Sequence, residues 1–224
     1  MIYDLDYYVN NLKILYEDNH LLVIEKPENV LSQKDASLDF DINDICKLYL
    51  KNKYNKPGNV YLGLIHRLDR RVGGVMVLAK TSKAASRLSE CIRLKDGFDK
   101  YYVACIEGQL EESGSISIKI KKEANRASIS EDGKLANLDY EYINYLNGIS
   151  YMNIHLYSGR YNQIRLSFSS IGHPLVGDTK YGGTNNDRIG LWCYKIRFMH
   201  PIKKEIIEIV DYPNGDIWNG LKKQ

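Results

Sequence analysis

Apolar residues recur along the chain with two different spacings, which separate its predicted strands from its predicted helices. Residues 12–16, 21–25, 61–65 and 75–79 form short runs rich in apolar and β-branched side chains, as buried strands do. Residues 41–54 and 82–94 instead repeat apolar side chains every three or four positions, which predicts two amphipathic helices. Polar residues that can cap these two helices stand at their predicted starts: Asp39 or Asp41, and Thr81 or Ser82.

The second half of the chain is dominated by predicted strands, over residues 100–106, 115–121, 137–146, 149–157, 191–198 and 203–210. Asn147-Gly148 joins two of them and is a strong hairpin-turn signal. One helix is predicted over 161–171, ended by Gly172 and Pro174. Strands outnumber helices and many are joined by hairpins, so we expect an α+β fold with a mixed, mostly antiparallel sheet and flanking helices. A single domain is expected over 1–224, with residues 1–12 as a short N-terminal extension.

Composition narrows the class of protein. The 224 residues are 44% hydrophobic and 26% charged, without an apolar run near the length of about 18 residues that a membrane span needs. Residues 1–6 carry two aspartates before any lysine, which is unlike a signal peptide, and a cytoplasmic location is expected. The four cysteines form no Cys-x-x-Cys pair, and the five histidines show no metal-binding spacing. We therefore expect free thiols, no metal and no cofactor.

Charge is distributed unevenly along the sequence. Residues 1–63 hold seven Lys or Arg against ten Asp or Glu, whereas residues 64–104 hold nine against four. A localised positive field attracts polyphosphates and makes their binding depend on salt. A solvated basic face with no ligand is the alternative interpretation.

The basic segment contains the most informative motif of the chain. Residues 66–70 read His-Arg-Leu-Asp-Arg, and with the next residue they place one carboxylate, Asp69, among three arginines, Arg67, Arg70 and Arg71. Nearby cations favour the ionised carboxylate. Glycines at 73 and 74 follow, and Asp69 is expected on the connection between the predicted strands 61–65 and 75–79. The alternative is a structural loop in which Asp69 bridges Arg67 and Arg70.

This segment resembles the H-R-L-D-R-x-T-S-G signature of the RluA-type pseudouridine synthases, which isomerise uridine in RNA. Three further blocks agree in order, and the resemblance runs from about Lys13 to the C-terminal strands. They are residues 14–24 with Lys26-Pro27, Lys100-Tyr101-Tyr102-Val103-Ala104 with Gly108, and Gly159-Arg160-Tyr161-Asn162-Gln163-Ile164-Arg165 with Gly172-His173-Pro174, Gly177-Asp178 and Tyr181-Gly182.

Two departures from the family pattern stand out. Val72-Gly73 replaces the family's Thr-Ser, and Tyr161-Asn162 replaces its Thr-His. Neither departure touches the aspartate, the tyrosine or the second arginine of the blocks. In the family, these positions supply hydrogen bonds that orient the aspartate loop and the substrate. We therefore expect the departures to affect which substrate is bound more than which reaction is catalysed.

The resemblance implies three catalytic residues. Asp69 is the nucleophile, although whether it attacks the sugar or the base, or abstracts a sugar proton, stays open. Arg165 is its cationic partner. Tyr102 stacks on the uracil that is flipped out of the RNA, and its hydroxyl serves in the loss of the C5 proton. A tyrosine in a strand is more often a plain core residue, which is the alternative for Tyr102.

The resemblance also implies a set of substrate-binding residues. Arg67 occupies the space that the flipped base leaves, two arginines meet phosphates, one lysine contacts the RNA backbone, and two apolar residues line the uracil pocket or are plain core. The full set is Arg67, Arg70, Arg71, Lys26, Gln163, Ile164 and Leu166.

The sequence thus predicts an RNA pseudouridine synthase, an isomerase with a central active-site cleft that acts on ribosomal or transfer RNA. A catalytically inactive RNA-binding or RNA-folding protein on the same scaffold is the alternative. A glycoside hydrolase would need a second carboxylate about 5–10 Å from the first, and no block supplies one. Family members often carry an S4-type RNA-binding domain ahead of the first matching strand, where this sequence has only about a dozen residues. We therefore expect RNA selection by the catalytic domain or by a partner, and a monomer.

Overall fold

A computed structural model describes residues 4–37 and 39–221 of the chain, and its internal contacts divide the chain into two units. Unit 1 comprises Met1–Phe98 and Lys195–Asp211, and unit 2 comprises Asp99–Tyr194 and Tyr212–Gln224. The single domain predicted over 1–224 stays a prediction. The first three residues of the predicted extension, residue 38 and the last three residues of the chain lie outside the described part.

Unit 1 combines three helices with antiparallel strand pairs. Strand β2 pairs with β1 and β4, the short β3 pairs with the end of β4, and β11 pairs with the second half of β10, which runs from unit 2 into unit 1. The elements of this unit are α1 (Leu5–Asn10), β1 (Ile14–Glu17), β2 (Leu21–Lys26), α2 (Ile42–Lys53), β3 (Gly63–Leu64), β4 (Gly73–Ala79), α3 (Ser82–Leu94), β10 (Leu191–Met199) and β11 (Ile206–Val210).

The two predicted helices of unit 1 begin where their caps predict. Asp41 caps α2 in a capping box: its carboxylate accepts from the backbone N–H of Asp44, whose carboxylate accepts in turn from the N–H of Asp41. Thr81 caps α3 by accepting from the N–H of Ala84. The predicted strand 61–65 is shorter than expected, because only Gly63 and Leu64 pair with β4.

The core of unit 1 lies between α2 and the strands β2 and β4. All seven residues of β4 are buried, as are five of the six in β2, which explains their continuous apolar sequence. The N-terminal extension, for which the sequence predicts no element, contains the helix α1. Its residues Leu5, Tyr8 and Val9 pack against this core.

Unit 2 is mostly antiparallel strands, which pair in the order β5, β9, β8, β6, β7. The predicted hairpin turn between β8 and β9 is confirmed, with φ of 53° at Asn147 and 81° at Gly148. The elements are β5 (Phe98–Glu107), β6 (Gly114–Glu123), β7 (Arg126–Ile129), β8 (Lys134–Leu146), β9 (Ile149–Leu156), the first half of β10, α4 (Gln163–Ser170) and the 3₁₀ helices Thr179–Tyr181 and Asp216–Leu221.

The predicted α+β class, with a mixed, mostly antiparallel sheet and few helices, is confirmed. The sequence misses β7 and both 3₁₀ helices, and it places the start of α4 two residues early. None of the helices in the described residues is both long enough and apolar enough to span a membrane.

A buried carboxylate joins α2 to the strands of unit 1. Glu17, at the end of β1, accepts hydrogen bonds from the ammonium groups of Lys53 (2.7 Å) and Lys80 (2.8 Å) and from the hydroxyls of Tyr49 (3.0 Å) and Tyr54 (2.6 Å). Its side chain is only 8% exposed. Burial alone raises the pKa of Glu17, but the four donors outweigh it and lower the pKa to about 2.

We expect Glu17→Gln to lower the free energy of unfolding by about 1–3 kcal/mol at pH 7, because four donors lose a charged acceptor whose own side chain is buried. A carboxylate whose pKa is depressed on folding stabilises the fold above its unfolded pKa, near 4.5, and this contribution is lost as the pH falls towards 2. Urea unfolding from pH 7 to 3 should therefore show the wild type and the variant converging. Glu112→Gln, at an exposed loop position, is the control. If the stability of Glu17→Gln stayed a constant amount below that of the wild type from pH 7 to 3, the lowered pKa of Glu17 would be contradicted.

Candidate active site

The connection between β3 and β4, residues 65–72, carries the His-Arg-Leu-Asp-Arg motif, as predicted. Asp69 is half-buried there, next to a tight turn in which the backbone N–H of Val72 donates to the carbonyl of Asp69 (3.0 Å). A loop held between paired strands is a common place for a reactive side chain. The predicted position of Asp69 on a strand connection is confirmed.

Ser32 fixes the residue that precedes Asp69. Its hydroxyl donates to the carbonyl of Leu68 (2.6 Å) and accepts from the N–H of Leu68 (3.1 Å), so it bonds both backbone groups of one residue. Leu68 is itself buried. The backbone on this side of Asp69 is therefore held both by hydrogen bonds and by packing.

Lys26 fixes the residue that follows Asp69. It ends β2 and is fully buried, and its ammonium donates to the carbonyls of Pro27 (2.7 Å), Val30 (2.7 Å) and Arg70 (3.3 Å). The predicted contact of Lys26 with an RNA backbone is wrong, because an ammonium enclosed by carbonyls cannot reach a phosphate. Burial lowers the pKa of Lys26 to about 7, against the smaller, opposite effects of the charges on Asp69 and Glu28.

His66 ties the start of the loop to β4. Its ring is buried, and Nε2 accepts a hydrogen bond from the backbone N–H of Val77 (3.0 Å). A neutral imidazole that accepts at Nε2 carries its proton at Nδ1. The side chain of His66 thus replaces a backbone acceptor beside the strand, a role for which the motif gave no signal.

Two of the three arginines around Asp69 bond to other residues. Arg67 donates to the side-chain oxygen of Gln33 (3.3 Å), and Arg70 donates to the carbonyl of Asn29 (3.2 Å) and to Asp39 (2.6 Å). The alternative of a structural loop in which Asp69 bridges Arg67 and Arg70 stays open. Both arginines are exposed, and their predicted contacts with RNA, like those of Arg71, stay predictions.

Tyr102 lies on β5 in unit 2 and is 5% exposed. Its hydroxyl forms a hydrogen bond with the thiol of Cys193, a fully buried residue of β10. The pKa of this thiol is raised to about 12, chiefly by burial, so the thiol is neutral at pH 7. The interpretation of Tyr102 as a plain core residue therefore has support in its burial, and its catalytic role stays a prediction.

Arg165, in the first turn of α4, is paired with a residue that sequence reasoning did not single out. Its Nε and Nη2 donate to the two carboxylate oxygens of Asp178, each at 2.7 Å, and Asp178 has no exposed surface. This two-point geometry fixes the direction of the guanidinium. The signal for Asp178 was present in the Gly177-Asp178 pair of the fourth block.

Gln163 and its neighbours on α4 serve the fold of unit 2. The Gln163 side-chain oxygen accepts from the hydroxyl of Ser158 (2.9 Å) and the N–H of Arg160 (3.1 Å), and its nitrogen donates to the carbonyl of Asn137 (3.1 Å). Leu166 packs against a buried cluster under β6 and β7, and Ile164 is 4% exposed. Plain core stays the alternative for Ile164 and Leu166, and the substrate contacts predicted for Gln163, Ile164 and Leu166 stay predictions.

The departure at Tyr161-Asn162 has its own set of contacts. Asn162 adopts the left-handed conformation (φ 50°) that asparagine tolerates, and its side-chain oxygen accepts from the hydroxyl of Tyr181 (3.1 Å) and the ammonium of Lys180 (3.3 Å). The hydroxyl of Tyr161 donates to the carbonyl of Asn125 at the tip of the β6–β7 hairpin (3.2 Å). Both residues therefore join the turn before α4 to neighbouring segments of unit 2.

The predicted catalytic residues are divided between the units, with Asp69 in unit 1 and Tyr102 and Arg165 in unit 2. The predicted pairing of Asp69 with Arg165 stays a prediction. Among residues 4–37 and 39–221 there is no group of three His, Cys, Asp or Glu side chains arranged to hold a metal ion.

All three residues fall inside one family match. A family model described as RNA pseudouridylate synthase matches residues 20–170, more than half of the chain. The chain belongs to the RNA pseudouridylate synthase family.

Similar proteins extend this match over most of the chain. Ribosomal large subunit pseudouridine synthase D of Nitrosomonas europaea is 28% identical over 211 residues, which cover 88% of this chain and 60% of that protein. An uncharacterized RNA pseudouridine synthase, YhcT, of Bacillus subtilis is 30% identical over 204 residues, which cover 88% of this chain and 67% of that protein. The chain thus spans about 60% to two thirds of the length of these relatives.

A solved structure supports the fold. Human RNA pseudouridylate synthase domain containing 4 superimposes with a TM-score of 0.79 at 20% sequence identity, covering 97% of this chain and 95% of that one. The pseudouridylate synthase fold predicted from the sequence is therefore confirmed.

For this pseudouridylate synthase family member, we expect Lys26→Met to lower the free energy of unfolding by about 1–3 kcal/mol at pH 7, because buried carbonyls lose their donor. As the pH rises, a lysine whose pKa falls on folding loses its proton at a lower pH in the native state than in the unfolded state. Its contribution to stability therefore rises with pH between about 7 and 10.5. Urea unfolding at several pH values in this range should show the deficit of Lys26→Met widening. Lys47→Met, at an exposed site on α2, is the control. A stability loss in Lys26→Met that does not change with pH would contradict the lowered pKa of Lys26.

The Arg165–Asp178 pair in this family member predicts strong energetic coupling. Arg165→Met leaves the buried Asp178 carboxylate without its partner, at an expected cost of about 3–5 kcal/mol in the free energy of unfolding. The double variant Arg165→Met with Asp178→Leu should recover much of that loss. A double-mutant cycle by urea unfolding measures the coupling, and additive losses would show that the two side chains act independently.

Proposed function

We propose that the chain is an RNA pseudouridine synthase, which isomerises uridine to pseudouridine within a structured RNA. The reaction breaks the bond between N1 of uracil and C1′ of ribose and forms a bond from C5 to C1′. C5 loses a proton and N1 gains one, so the reaction is balanced without an oxidant, a reductant or a nucleotide cofactor. It requires a nucleophile or base beside the sugar and a site that holds the detached uracil.

The observation that carries this proposal is the way in which the backbone around Asp69 is held. Ser32 bonds Leu68 on one side of Asp69, and Lys26 bonds Arg70 on the other. A carboxylate that reacts must be positioned to within a fraction of an ångström, and hydrogen bonds to its neighbours supply such positioning. Asp69 also stands in the motif of the family to which the chain belongs.

Tyr102 and Arg165 have proposed roles in the same reaction. The ring of Tyr102 stacks on a uracil flipped out of the RNA, and its hydroxyl receives or relays the proton lost from C5. Arg165, whose direction is fixed by Asp178, is the cationic partner of the Asp69 carboxylate. A catalytically inactive RNA-binding protein would have no need to retain Asp69, Tyr102 and Arg165 together.

We propose ribosomal RNA as the substrate class. Support comes from the name of the Nitrosomonas relative, which is a ribosomal large subunit pseudouridine synthase. Mapping pseudouridines in total RNA from cells with and without this chain tests both the reaction and the substrate. A pseudouridine lost from transfer RNA alone would replace ribosomal RNA as the substrate, and an unchanged map would overturn the proposed activity. The monomeric state and the cytoplasmic location stay predictions.

Asp69→Asn should abolish pseudouridine formation and leave RNA affinity within about threefold, because the amide keeps the shape of the side chain but cannot act as a nucleophile. Release of tritium from C5-labelled uridine measures turnover, and filter binding measures affinity. Asp132→Asn, an exposed residue of unit 2, is the control for the chemical change. Substantial residual turnover in Asp69→Asn would contradict the assignment of Asp69 as the nucleophile. The wild type should keep full turnover in excess chelator, because the proposed reaction uses no metal.

Tyr102→Phe should bind RNA nearly as the wild type does but stall after the glycosidic bond is cleaved, because the ring remains and only the hydroxyl is lost. Single-turnover kinetics with C5-tritiated RNA measure the step. Tyr101→Phe is a matched control, since Tyr101 lies one residue away on β5 and its ring stacks on His155 at 4.4 Å between centroids. Equal turnover in the two variants would confine Tyr102 to packing.

A further inference from the structure

Lys100 is a buried cation for which the proposed reaction gives no role. It lies on β5 two residues before Tyr102, and alternation along a strand places the two side chains on the same face. Lys100 is only 9% exposed. Lysines are almost never buried to this degree unless their charge is paired.

The Lys100 ammonium has no such partner among residues 4–37 and 39–221. No oxygen of the residues that the structure describes accepts a hydrogen bond or an ion pair from it. The titratable group that acts on it is the Cys193 thiol, which is neutral at pH 7 because its pKa is about 12. Burial lowers the pKa of Lys100, and Cys193 offsets this only in part.

The other two buried cations of the described chain provide the contrast. Lys26 donates to three carbonyls, and Arg165 is paired with Asp178 through two bonds. Lys100 therefore bears the cost of leaving water without the protein interaction that offsets it elsewhere. Such a group indicates a ligand that supplies the missing negative charge.

Space beside the ammonium is left open by a glycine. A Cβ atom at Gly159 would lie 3.4 Å from Nζ of Lys100, and it would contact no other atom outside its own neighbours within 4 Å. Gly159 is exposed, so the ammonium approaches the surface at this point. A larger side chain here would stand next to Nζ and could itself act as its partner.

We propose that Lys100 forms an anion subsite that holds a phosphate of the substrate RNA, next to the nucleotide whose base stacks on Tyr102. The inference rests on the proposed function for the identity of the ligand, because phosphates are the groups of RNA that carry a full negative charge. Uracil offers only neutral acceptors in the ground state. Lys100 is thus a substrate-binding residue that lies two positions from the tyrosine of the same site.

The first test measures RNA binding and stability in Lys100→Gln, with Lys83→Gln on the exposed face of α3 as the matched control. Filter binding of a short uridine-containing RNA hairpin is followed from low to high salt. Lys100→Gln should weaken binding by about tenfold to a hundredfold, as expected for a charge-assisted hydrogen bond, and reduce the log–log salt slope by about 0.7–0.9. The Lys83→Gln variant should change binding less than about threefold.

The second measurement separates a ligand site from a structural one. Thermal unfolding of Lys100→Gln should occur at the wild-type temperature or above it, because the variant removes an unpaired buried charge. Inorganic phosphate, compared with chloride at equal ionic strength, should raise the unfolding temperature of the wild type and not that of the variant. A Lys100→Gln variant that melts below the wild type would make Lys100 a structural residue and overturn the proposal.

Gly159 supplies an independent pair of variants. Gly159→Asp places a carboxylate beside the ammonium and should abolish the stabilisation by inorganic phosphate, whereas the isosteric Gly159→Asn should retain most of it. If both variants lost the stabilisation by phosphate equally, the loss would come from the volume of the added side chain and not from neutralising the charge of Lys100. An unchanged salt slope in Lys100→Gln would likewise exclude a phosphate contact.

These readouts do not depend on turnover. If the wild type forms no pseudouridine but Lys100→Gln still loses the phosphate-dependent stabilisation and the salt slope, the proposed function fails and the anion subsite stands. If the wild type forms pseudouridine and Lys100→Gln keeps the wild-type salt slope and the stabilisation by phosphate, the proposed subsite fails and the proposed function stands.

Discussion

The loop that carries Asp69 depends on a lysine that has no contact with solvent. Lys26 stands at the end of β2, opposite Gly74 at the start of β4, and so at the place where the paired strands diverge. Its ammonium draws together carbonyls from the segment after β2 and from the loop itself. Only a side chain with three donors on a long stem can satisfy three carbonyls from one buried point. The register of two strands thereby determines the position of the reactive loop.

In unit 2 a buried carboxylate holds a predicted catalytic side chain in place. Arg165 extends from the first turn of α4. Its Nε and Nη2 donate to Asp178, which lies just before the 3₁₀ helix Thr179–Tyr181. The turn that starts α4 is itself braced, by the Gln163 side chain on one side and by Asn162 on the other. A guanidinium fixed at two points cannot rotate freely, which favours a role in directing another group over a role as a diffuse charge. In both units, buried polar contacts hold the segment that the family motif marks.

The elements that the sequence predicts well are those whose causes lie within a few residues. The caps Asp41 and Thr81 and the turn at Asn147-Gly148 act through neighbours up to three positions away, and each is found as predicted. The helix α1 is missed because six residues are too short for a clear period, and its stability comes from packing on α2 and the strands.

Contacts between distant residues explain the other misses. Arg70 is 31 positions from Asp39, and the Lys26 ammonium bonds a carbonyl 44 positions away. No local pattern marks such pairs. The family resemblance placed Lys26 in contact with RNA, whereas its ammonium is enclosed by carbonyls, and the predicted RNA contact of Arg70 stays a prediction. The motif blocks supplied the names of the reactive residues, but not the residues that hold them, of which Ser32 and His66 lie outside any role that the blocks assign.

The three buried cations also show why burial by itself does not define a role. Lys26 and Arg165 are each enclosed by acceptors of their own chain, so their charges contribute to the fold and are satisfied before any ligand arrives. Lys100 carries a similar cost of desolvation with no acceptor among the described residues, and the free protein must bear that cost. A group of this kind opposes stability in the free state and gains a partner only in the bound state, which is the usual relation between stability and function at a binding site. The pattern of acceptors, and not the depth of burial, therefore separates the two cations that have acceptors within the protein from the one that we assign to its ligand.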